Sequence, residues 1–348
     1  MIKKFILASL LIVSVISCKV DPKIPVADNL VLTVPEGWPQ PHYNFEENPI
    51  TQDRFILGRA LFYEPMLSVT NSISCGTCHQ DFAAFANKGH ITSHGVVVDG
   101  VEREGTRNSP GLFNLAWHPT FMYDGGSSHI ELQPVAPITN TLEMAEQIPS
   151  VIAKLQSSQK YRSLFKNAYG DEVITGQRLL KSLAQFMGLI TSSNSKFDQY
   201  KRHEKNVQLT SEEERGYGLF QANCASCHKE PLFSDFEFRS NGLAISRVYK
   251  DSGRAHVTSL PEDRYKFKTP SLRNVALTDP YMHDGRFATL EQCLDHYTNP
   301  AKQTENLDPL LKNPLPLTPQ DKKDIISFLH TLSDFELIKD QRFADPNH

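Results

Sequence analysis

The sequence predicts a mainly α-helical protein composed of two related domains. Two Cys-x-x-Cys-His motifs stand in separate halves of the chain, at residues 75–79 and 224–228. At a shift of 160 residues, 110–131 align with 270–291 with eight identities in 22 positions. The identical residues follow each Cys-x-x-Cys-His motif in the same order, which indicates an internal duplication. Around both motifs the structural signals are N-terminal caps and apolar stripes at helical spacing, which predict helices.

Each motif carries the residues for covalent attachment of a c-type haem. Two thiols add to the porphyrin vinyl groups, while the adjacent imidazole binds the iron. The attachment residues are Cys75, Cys78 and His79 in the first motif and Cys224, Cys227 and His228 in the second. A thioredoxin-like thiol pair would need a βαβ pattern, and a zinc site would need two further ligands at matching spacing. The sequence therefore predicts two cytochrome c-like haem domains.

Sequence signals place helices in both halves. Thr210 and Glu213 form a capping box that opens a helix toward the second motif, and Thr318 begins another helix near the C-terminus. In the first half an apolar stripe at helical spacing predicts a core-facing helix. Its members are Leu179, Leu180, Leu183, Phe186, Met187 and Ile190. Residues 192–206, which are rich in serine and in charge, mark the domain boundary.

The N-terminus predicts export. Two lysines precede an apolar run that is too short to span a bilayer and is typical of a signal peptide over residues 1–17. Residues 15–18 resemble a bacterial lipobox, in which Cys18 becomes the lipidated first residue; the alternative is ordinary cleavage that leaves a free thiol. Residues 18–50 then read as a lipid-anchored tether and lead-in. The sequence thus predicts a lipoprotein on the periplasmic side of a bacterial membrane.

The rest of the chain divides into a haem domain at 51–195, a second haem domain at 196–335 and a tail at 336–348. The formal charge of −4 argues against nucleic-acid binding and allows docking of a basic redox protein. Haem takes four of the six cysteines and the lipid takes Cys18, so Cys293 remains alone. No structural disulfide is therefore predicted.

Taken together, the motifs resemble the bacterial di-haem cytochrome c peroxidase superfamily, which includes the di-haem enzyme that matures methylamine dehydrogenase. Besides both haem motifs, the matching residues are Arg107-Asn108-Ser109-Pro110, Asp124-Gly125, Gln133, Glu143-Met144, Pro270-Ser271-Leu272-Arg273-Asn274 and Tyr281-Met282-His283-Asp284-Gly285. The resemblance implies a peroxidatic haem in the first domain and an electron-transfer haem in the second. It implies hydrogen peroxide as substrate, and a small redox protein as donor or a protein as substrate. A homodimer is a further prediction.

The two halves differ at the position that faces each haem iron opposite the motif histidine. A filled sixth position favours electron transfer, and an open one admits peroxide. By resemblance the ligand of the second iron is Tyr297; the alternative is a buried core tyrosine, with Met282, His256 or His296 as the ligand. The residue 160 positions before Tyr297 is Pro137, which has no side chain that binds iron. The first haem is therefore predicted to be open to peroxide.

The resemblance also implies catalytic roles in the first half. Glu143 would be the acid/base that moves a proton between the peroxide oxygens, and Gln133 would help to orient it. Taken alone, Glu143 would instead read as a solvated helix carboxylate. Tyr123 stands where family members usually have a tryptophan between the haems, so it is a candidate electron relay, as is the nearby Trp117. A core role is the alternative for both aromatic residues.

Two further sites are implied. Some family peroxidases have a loop histidine that binds the first iron in the resting state; here the candidates are His94 and His90, and either can instead be a plain loop histidine. The family pattern also implies a calcium ion between the domains. Its ligands would be the side chain of Asn108 and the backbone carbonyls of Thr278 and Pro280, because calcium prefers oxygen. The alternative is that Asn108 caps a turn.

Overall fold

The computed structural model describes residues 30–300 and 304–347, so the predicted signal peptide and Cys18 lie outside the described residues. The fold is mainly helical, as predicted. The helices of the first half are α1 (Gln52–Phe62), α2 (Cys75–Cys78), α3 (Val135–Thr139), α4 (Ile148–Ser157), α5 (Gln159–Tyr169) and α6 (Gly176–Leu189). Those of the second half are α7 (Lys196–Lys201), α8 (Ser211–Asn223), α9 (Ala255–Thr258), α10 (Leu290–Thr298) and α11 (Pro319–His330).

Strands are few and short. β1 (His94–Val98) pairs with β2 (Val101–Glu104), and β3 (Phe238–Arg239) pairs with β4 (Phe267–Lys268); both pairs are antiparallel. Within 30–300 and 304–347, no helix has the length and apolar character needed to cross a bilayer. The strands lie in loops that wrap the cavity described below.

Capping boxes start the principal helices of the second half. At the start of α8 the Thr210 hydroxyl accepts a hydrogen bond from the N–H of Glu213, whose carboxylate accepts one from the N–H of Thr210. The same arrangement opens α11 at Thr318 and α10 at Thr289. Each cap satisfies N–H groups that the helix leaves unpaired and contributes about 1 kcal/mol. The predicted starts of α8 and α11 are confirmed.

Each half is built on one pair of closely packed helices. In the first half α1 lies against α6, and in the second half α8 lies against α11. A Cβ atom on Gly58 would lie 2.0 Å from the carbonyl oxygen of Ser182, and one on Gly216 would lie 1.9 Å from that of Asp324. Only glycine allows the two backbones to approach this closely. The two glycines therefore determine the same packing in both halves.

The hydrophobic core is divided in the same way. The apolar stripe of α6 is buried in the first-half core, as predicted, beside Phe55 and Phe62. The second core gathers Phe197, Phe220 and Phe328 around α8 and α11. Burial of an aromatic side chain of this size contributes about 2–3 kcal/mol. Each half therefore has apolar packing of its own beneath its haem motif.

Residues aligned by the repeat adopt the same local structures. Asn114 and Asn274 both have left-handed backbones, with φ of 56° and 57°, and each precedes a short 3₁₀ turn. Isolated antiparallel bridges then follow, from Phe121 to Ser127 in the first half and from Tyr281 to Phe287 in the second. Duplication as the origin of this likeness stays a prediction.

The C-terminal segment 336–347 returns to the first half. The Phe343 ring lies 5.8 Å from that of Phe55 and 6.0 Å from that of Phe186, and it is 4% exposed. The hydroxyl of Tyr63 donates to the carbonyl of Phe343 at 2.7 Å. The segment predicted as a tail is thus part of the first-half core, because it carries a large apolar side chain into it.

The two halves meet through an ion-pair cluster. Arg107 of the first half donates to Asp124 at 2.7 Å and, through two nitrogen atoms, to Asp251 of the second half at 2.6 and 2.9 Å. Bidentate pairing of this kind is strong and directional. Arg107 therefore links the two halves directly at the wall of the cavity between them.

Candidate haem and peroxide site

Both haem motifs open into one cavity of about 780 Å³. Its wall includes all four motif cysteines and both motif histidines, and most of the rest of the lining is apolar. The space is large for a ligand site, and the reactive side chains stand at two places on its wall. The chemistry of these residues and the space before them fit two covalently attached haems.

The two motif histidines are held in the same way. Nδ1 of His79 lies 2.8 Å from the carbonyl of Phe85 and 3.1 Å from that of Pro110. Nδ1 of His228 likewise lies near two carbonyls, at 3.2 and 3.1 Å. Because Nδ1 must donate to these oxygens, Nε2 is left unprotonated for a metal. Burial lowers the pKa of His79 to about 4, which keeps the ring neutral.

Short helices and close packing position the cysteines. Ser74 and Thr77 form a capping box at the start of α2, and the N–H of His79 donates to the carbonyl of Cys75 at 2.9 Å. A Cβ atom on Gly76 would lie 2.5 Å from the ring of Tyr63. The residues between the two cysteines therefore lie tightly against the first-half core, which fixes the direction of both thiols.

Glu143 lies in the cavity wall on the side of the first motif. Its carboxylate accepts a hydrogen bond from the hydroxyl of Ser93 at 2.7 Å. Burial raises the pKa of Glu143, and the Ser93 hydrogen bond and the nearby Arg107 partly oppose that rise. A carboxyl group with a raised pKa exchanges protons nearer to neutral pH than an ordinary glutamate does. The reading of Glu143 as a solvated helix carboxylate does not describe this site.

Gln133 also lines the cavity, but it does not bond to Glu143. Its amide nitrogen lies 3.9 Å from the sulfur of Met122. The hydroxyl that holds the carboxylate belongs to Ser93, and the orienting role of Gln133 stays a prediction. No spacing pattern in the sequence distinguishes Ser93, because it reaches Glu143 only through the fold.

Pro137 and Tyr297 face the cavity in the two halves. Pro137 lies in α3 and presents a saturated ring, whereas Tyr297 lies in α10 and presents a phenol. Burial raises the pKa of Tyr297 to about 12, with Asn241 opposing and Cys224 and Cys227 among the groups that raise it. The phenol therefore lies close to the second haem motif.

The alternative ligands of the second iron are placed differently. Met282 lines the cavity, and its sulfur accepts a hydrogen bond from the amide of Asn241 at 3.5 Å. His256 also lines the cavity. His296 is outside the cavity wall, with Nε2 lying 3.0 Å from the carbonyl of Asn241. Tyr297 lies in the cavity wall and has the motif cysteines Cys224 and Cys227 among its electrostatic neighbours.

His94 starts β1 beside the first motif. Its N–H donates to the sulfur of Cys78 at 3.3 Å, and its side chain is in the cavity wall. The ring of His90 lies 4.3 Å from that of His94, edge to face. Burial lowers the pKa of His94, and the neighbouring His90 lowers it further. The neutral ring thus has a free electron pair for a metal.

Tyr123 lies in the wall of the cavity, where the two halves meet. Burial raises its pKa, with Arg107 opposing and Asp284 adding to the rise. Trp117 is 1% exposed, donates from Nε1 to the carbonyl of Pro39 at 2.8 Å and packs edge to face on Trp38. Trp117 is not in the cavity wall, and these contacts place it in the core.

Two family models match the chain. A di-haem cytochrome c peroxidase model matches residues 52–206, and a cytochrome c model matches residues 213–333. Methylamine utilization protein MauG of Methylorubrum extorquens is 34% identical over 303 residues, which cover 86% of this chain and 82% of that protein. The chain belongs to the di-haem cytochrome c peroxidase family.

Other relatives agree with this assignment. Cytochrome c551 peroxidase of Nitrosomonas europaea is 33% identical over 250 residues, covering 71% of this chain and 73% of that protein. A solved MauG-like protein associated with microbial copper homeostasis superposes with a TM-score of 0.81 and 30% identity, covering 92% of this chain and all of that one. The protein is therefore a cytochrome c peroxidase-like oxidoreductase with two c-type haems. Because both peroxidases and MauG are relatives, family membership leaves the specific activity open.

The three residues that the family pattern implies for calcium lie together in the cavity wall. The amide nitrogen of Asn108 donates to the carbonyls of His90 and Ile91, at 3.0 and 3.2 Å, which leaves its oxygen available. In the described part of the chain, no hydrogen bond reaches that oxygen or the carbonyls of Thr278 and Pro280. Three unpaired oxygen atoms of this kind fit a calcium ion.

Metal sites of other kinds are not present in these ranges. Among residues 30–300 and 304–347, no group of three or more His, Cys, Asp or Glu side chains is arranged to hold a metal ion.

Proposed function

We propose that the protein reduces hydrogen peroxide to water beside His79, with electrons that enter through the second half. The bound haems supply the two electrons for this reaction. The observation that carries the proposal is the difference between the two sides of the cavity. Near the first motif the wall offers the saturated ring of Pro137 and the carboxyl of Glu143, and near the second it offers the phenol of Tyr297. The first side thus combines a residue that cannot bind iron with a carboxyl group that can carry a proton.

Glu143 performs the proton transfer in this scheme. Reduction of one peroxide consumes two electrons and two protons and yields two water molecules. The Glu143 carboxylate takes the proton from one peroxide oxygen and returns it to the other, which leaves as water. Ser93 holds the carboxylate in one orientation through its hydrogen bond. Both protons that the reduction consumes come from solvent, because Glu143 only moves a proton from one peroxide oxygen to the other and ends the cycle unchanged.

Tyr297 would bind the iron of the second haem. A phenolate is a hard anionic donor, so it favours oxidised iron and lowers the reduction potential. Burial keeps Tyr297 protonated by raising its pKa to about 12, so its proton is lost only when a cation replaces it. The second half would then hold an oxidising equivalent better than a thioether-bound centre does.

Tyr123 relays electrons between the halves in this scheme. It lies in the cavity wall near Arg107 and Asp284, where charged groups of both halves meet. A tyrosine that gives up an electron must also release its proton. Electron transfer through Tyr123 is therefore coupled to proton movement, unlike transfer through the tryptophan that is usual at this position in the family.

His94 closes the peroxide site in the resting state. Its neutral ring lies in the cavity wall, beside the first motif. Its withdrawal would require a movement of the β1–β2 hairpin, which is bonded to the Glu143 segment through the N–H of Val96. Calcium beside Asn108 is also part of the proposal, supported by three cavity-wall oxygen atoms, of Asn108, Thr278 and Pro280, that accept no hydrogen bond in the described ranges.

The same proposal sets the location of the reaction. The N-terminal sequence supports export and lipid anchoring at Cys18, on the periplasmic side of a bacterial membrane. Attachment of c-type haem is completed outside the bacterial cytoplasm, which agrees with export. The electron donor would then be a small redox protein in that compartment, and docking of two copies as a homodimer remains compatible with it.

A turnover assay tests the proposal. The holoprotein is mixed with hydrogen peroxide and a reduced small cytochrome, and the loss of peroxide and the oxidation of the cytochrome are followed together. One peroxide should disappear for every two cytochromes oxidised. Absence of peroxide consumption with a series of donors of different potential would overturn the proposal.

A second activity is favoured by Tyr297. Peroxide would here drive the oxidation of an aromatic side chain on a partner protein, which would supply the two electrons in place of a cytochrome. Tyr297→Phe and Tyr297→Met should then abolish the modification, measured by mass spectrometry of the partner, while peroxide reduction with a cytochrome donor persists. Equal loss of both activities would count against this second role.

A further inference from the structure

The boundary between the halves has an approximate two-fold symmetry in its backbone hydrogen bonds. The N–H of Asn108 donates to the carbonyl of His283 at 2.8 Å, and the N–H of Lys268 donates to the carbonyl of Tyr123 at 2.7 Å. Lys268 stands 160 residues after Asn108, and His283 stands 160 residues after Tyr123. Each half thus donates one backbone hydrogen bond to the other half from an equivalent position. We call the two places where these bonds occur crossing points, and a residue beside one crossing point has a counterpart beside the other.

The residues around the calcium position have such counterparts. At the shift of 160, Asn108, Thr278 and Pro280 correspond to Lys268, His118 and Thr120. The ammonium group of Lys268 donates to the carbonyl of Thr120. At the second crossing point the chain therefore supplies its own cation, to the carbonyl that corresponds to that of Pro280.

Lys268 has no anionic partner of its own in the described part of the chain. Its ammonium bonds to a neutral carbonyl and lies 5.9 Å from the centre of the Phe121 ring. The nearby Asp124 is already engaged by Arg107. Burial lowers the pKa of Lys268 to about 7, and Asp124 opposes this only in part. A buried ammonium without a carboxylate is costly unless the site needs a positive charge.

The counterpart position has the oxygen atoms but no cation from the chain. The oxygen of Asn108 and the carbonyls of Thr278 and Pro280 accept no hydrogen bond in the described ranges. The nearest ammonium group, that of Lys88, donates instead to the carbonyl of Leu277 and pairs with Asp279. A neutral set of oxygen atoms of this kind suits a hard divalent cation.

We propose that the boundary between the halves holds two equivalent cation positions, one filled by the ammonium group of Lys268 and the other by a divalent cation beside Asn108. The second position rests on the calcium of the proposed function, whereas the first does not. Each cation lies at a crossing point of the two halves. Together they balance the carboxylates that two haems bring into the cavity, and they hold the halves in register.

Exchange of the two residues tests the equivalence. The calcium content of the holoprotein is measured by elemental analysis, and its melting temperature is measured with and without a chelator. Asn108→Lys should contain no calcium and should melt at the temperature of the calcium-loaded parent, with no response to chelator. Asn108→Ala, the matched control, should also lose calcium but should melt at the lower temperature of the chelated parent.

The reverse exchange tests the Lys268 position. Lys268→Asn should lower the melting temperature and recover it as calcium is added, whereas Lys268→Met should lower it without recovery. The equivalence is overturned if Asn108→Lys melts like Asn108→Ala, or if Lys268→Asn responds to calcium no more than Lys268→Met does.

Failure of the calcium proposal itself gives a different result. In that case the parent protein contains no calcium and its melting temperature does not respond to chelator. The Lys268 position is then tested by Lys268→Met and Lys268→Arg. The neutral variant should melt at a lower temperature, and the charged variant should melt near the parent temperature. Equal losses in the two variants would show a packing role instead and would overturn this half of the inference.

Discussion

The two halves hold their motif histidines in the same way and differ in the side chains that they place in the cavity wall. In both halves a glycine lets two helices touch, and the motif histidine donates to two backbone carbonyls. In the cavity wall, the first half places Pro137 and Glu143, and the second half places Tyr297. A few different side chains on two similar scaffolds are therefore enough to suit one half to the proposed peroxide chemistry and the other to the proposed electron storage.

A similar contrast holds for the residues beyond the haem pockets. The core of the first half includes residues from both the N-terminal lead-in and the C-terminal segment. Trp38 of the lead-in packs on Trp117, and Phe343 of the C-terminal segment packs beside Phe55. The second core is assembled from residues between Phe197 and Leu332. The half that we propose to handle peroxide is thus the one enclosed by additional segments.

The largest expected effect comes from removing the proton carrier. Glu143→Gln keeps the shape of the side chain but cannot take up the proton from peroxide, so the rate of peroxide reduction should fall about 100-fold or more. Stopped-flow measurement of peroxide consumption checks this. Glu36→Gln, which changes an exposed glutamate, should leave the rate unchanged. If Glu143→Gln retained the parental rate, Glu143 would not be the proton carrier, and the proposed difference between the two sides of the cavity would be wrong.

The next effect concerns the enclosure of the first half. Phe343→Ala removes a ring that is 4% exposed and should lower the free energy of unfolding by about 3 kcal/mol. Both tryptophans of the chain lie in the first half, so the rise of their fluorescence on denaturant unfolding, as haem quenching is lost, reports on that half. Phe335→Ala changes a side chain that is 55% exposed and should cost far less. Equal losses would mean that the C-terminal segment does not support the first core.

The smallest effect refines the role of Ser93. Its hydrogen bond stabilises the Glu143 carboxylate and so lowers its pKa against the effect of burial. Ser93→Ala should raise that pKa further, and the acidic limb of peroxide reduction should move to higher pH by about one unit, since a hydrogen bond to a charged group contributes about 1.5 kcal/mol. The pH profile is compared with that of Ser157→Ala, an exposed serine. A shift to lower pH would contradict the assignment.

Several features of the site could be predicted because they are local. The order of residues in each Cys-x-x-Cys-His motif specifies the haem attachment, and the capping box at Thr210 starts α8 where expected. The apolar stripe of α6 is buried because its helical spacing puts those side chains on one face. The positions of Glu143 and Tyr297 followed from the family resemblance, and the fold brings both into one cavity.

Other features required the fold, because they join residues that are far apart in the sequence. Ser93 bonds Glu143 across 50 residues, and Lys268 reaches the carbonyl of Thr120 across 148. Neither contact leaves a periodic or spaced pattern. Likewise, nothing local marks Phe343 as a core residue, since only the return of the C-terminal segment makes its burial favourable.

The sequence by itself therefore determined that the chain binds two haems on two similar helical frames, because covalent attachment and helix capping depend on neighbouring residues. The tertiary structure decided how the frames differ and how they are joined. It placed a hydroxyl against Glu143, a phenol beside the second motif and a buried ammonium at the boundary. These are matters of distance and burial, which depend on the packing of the whole chain.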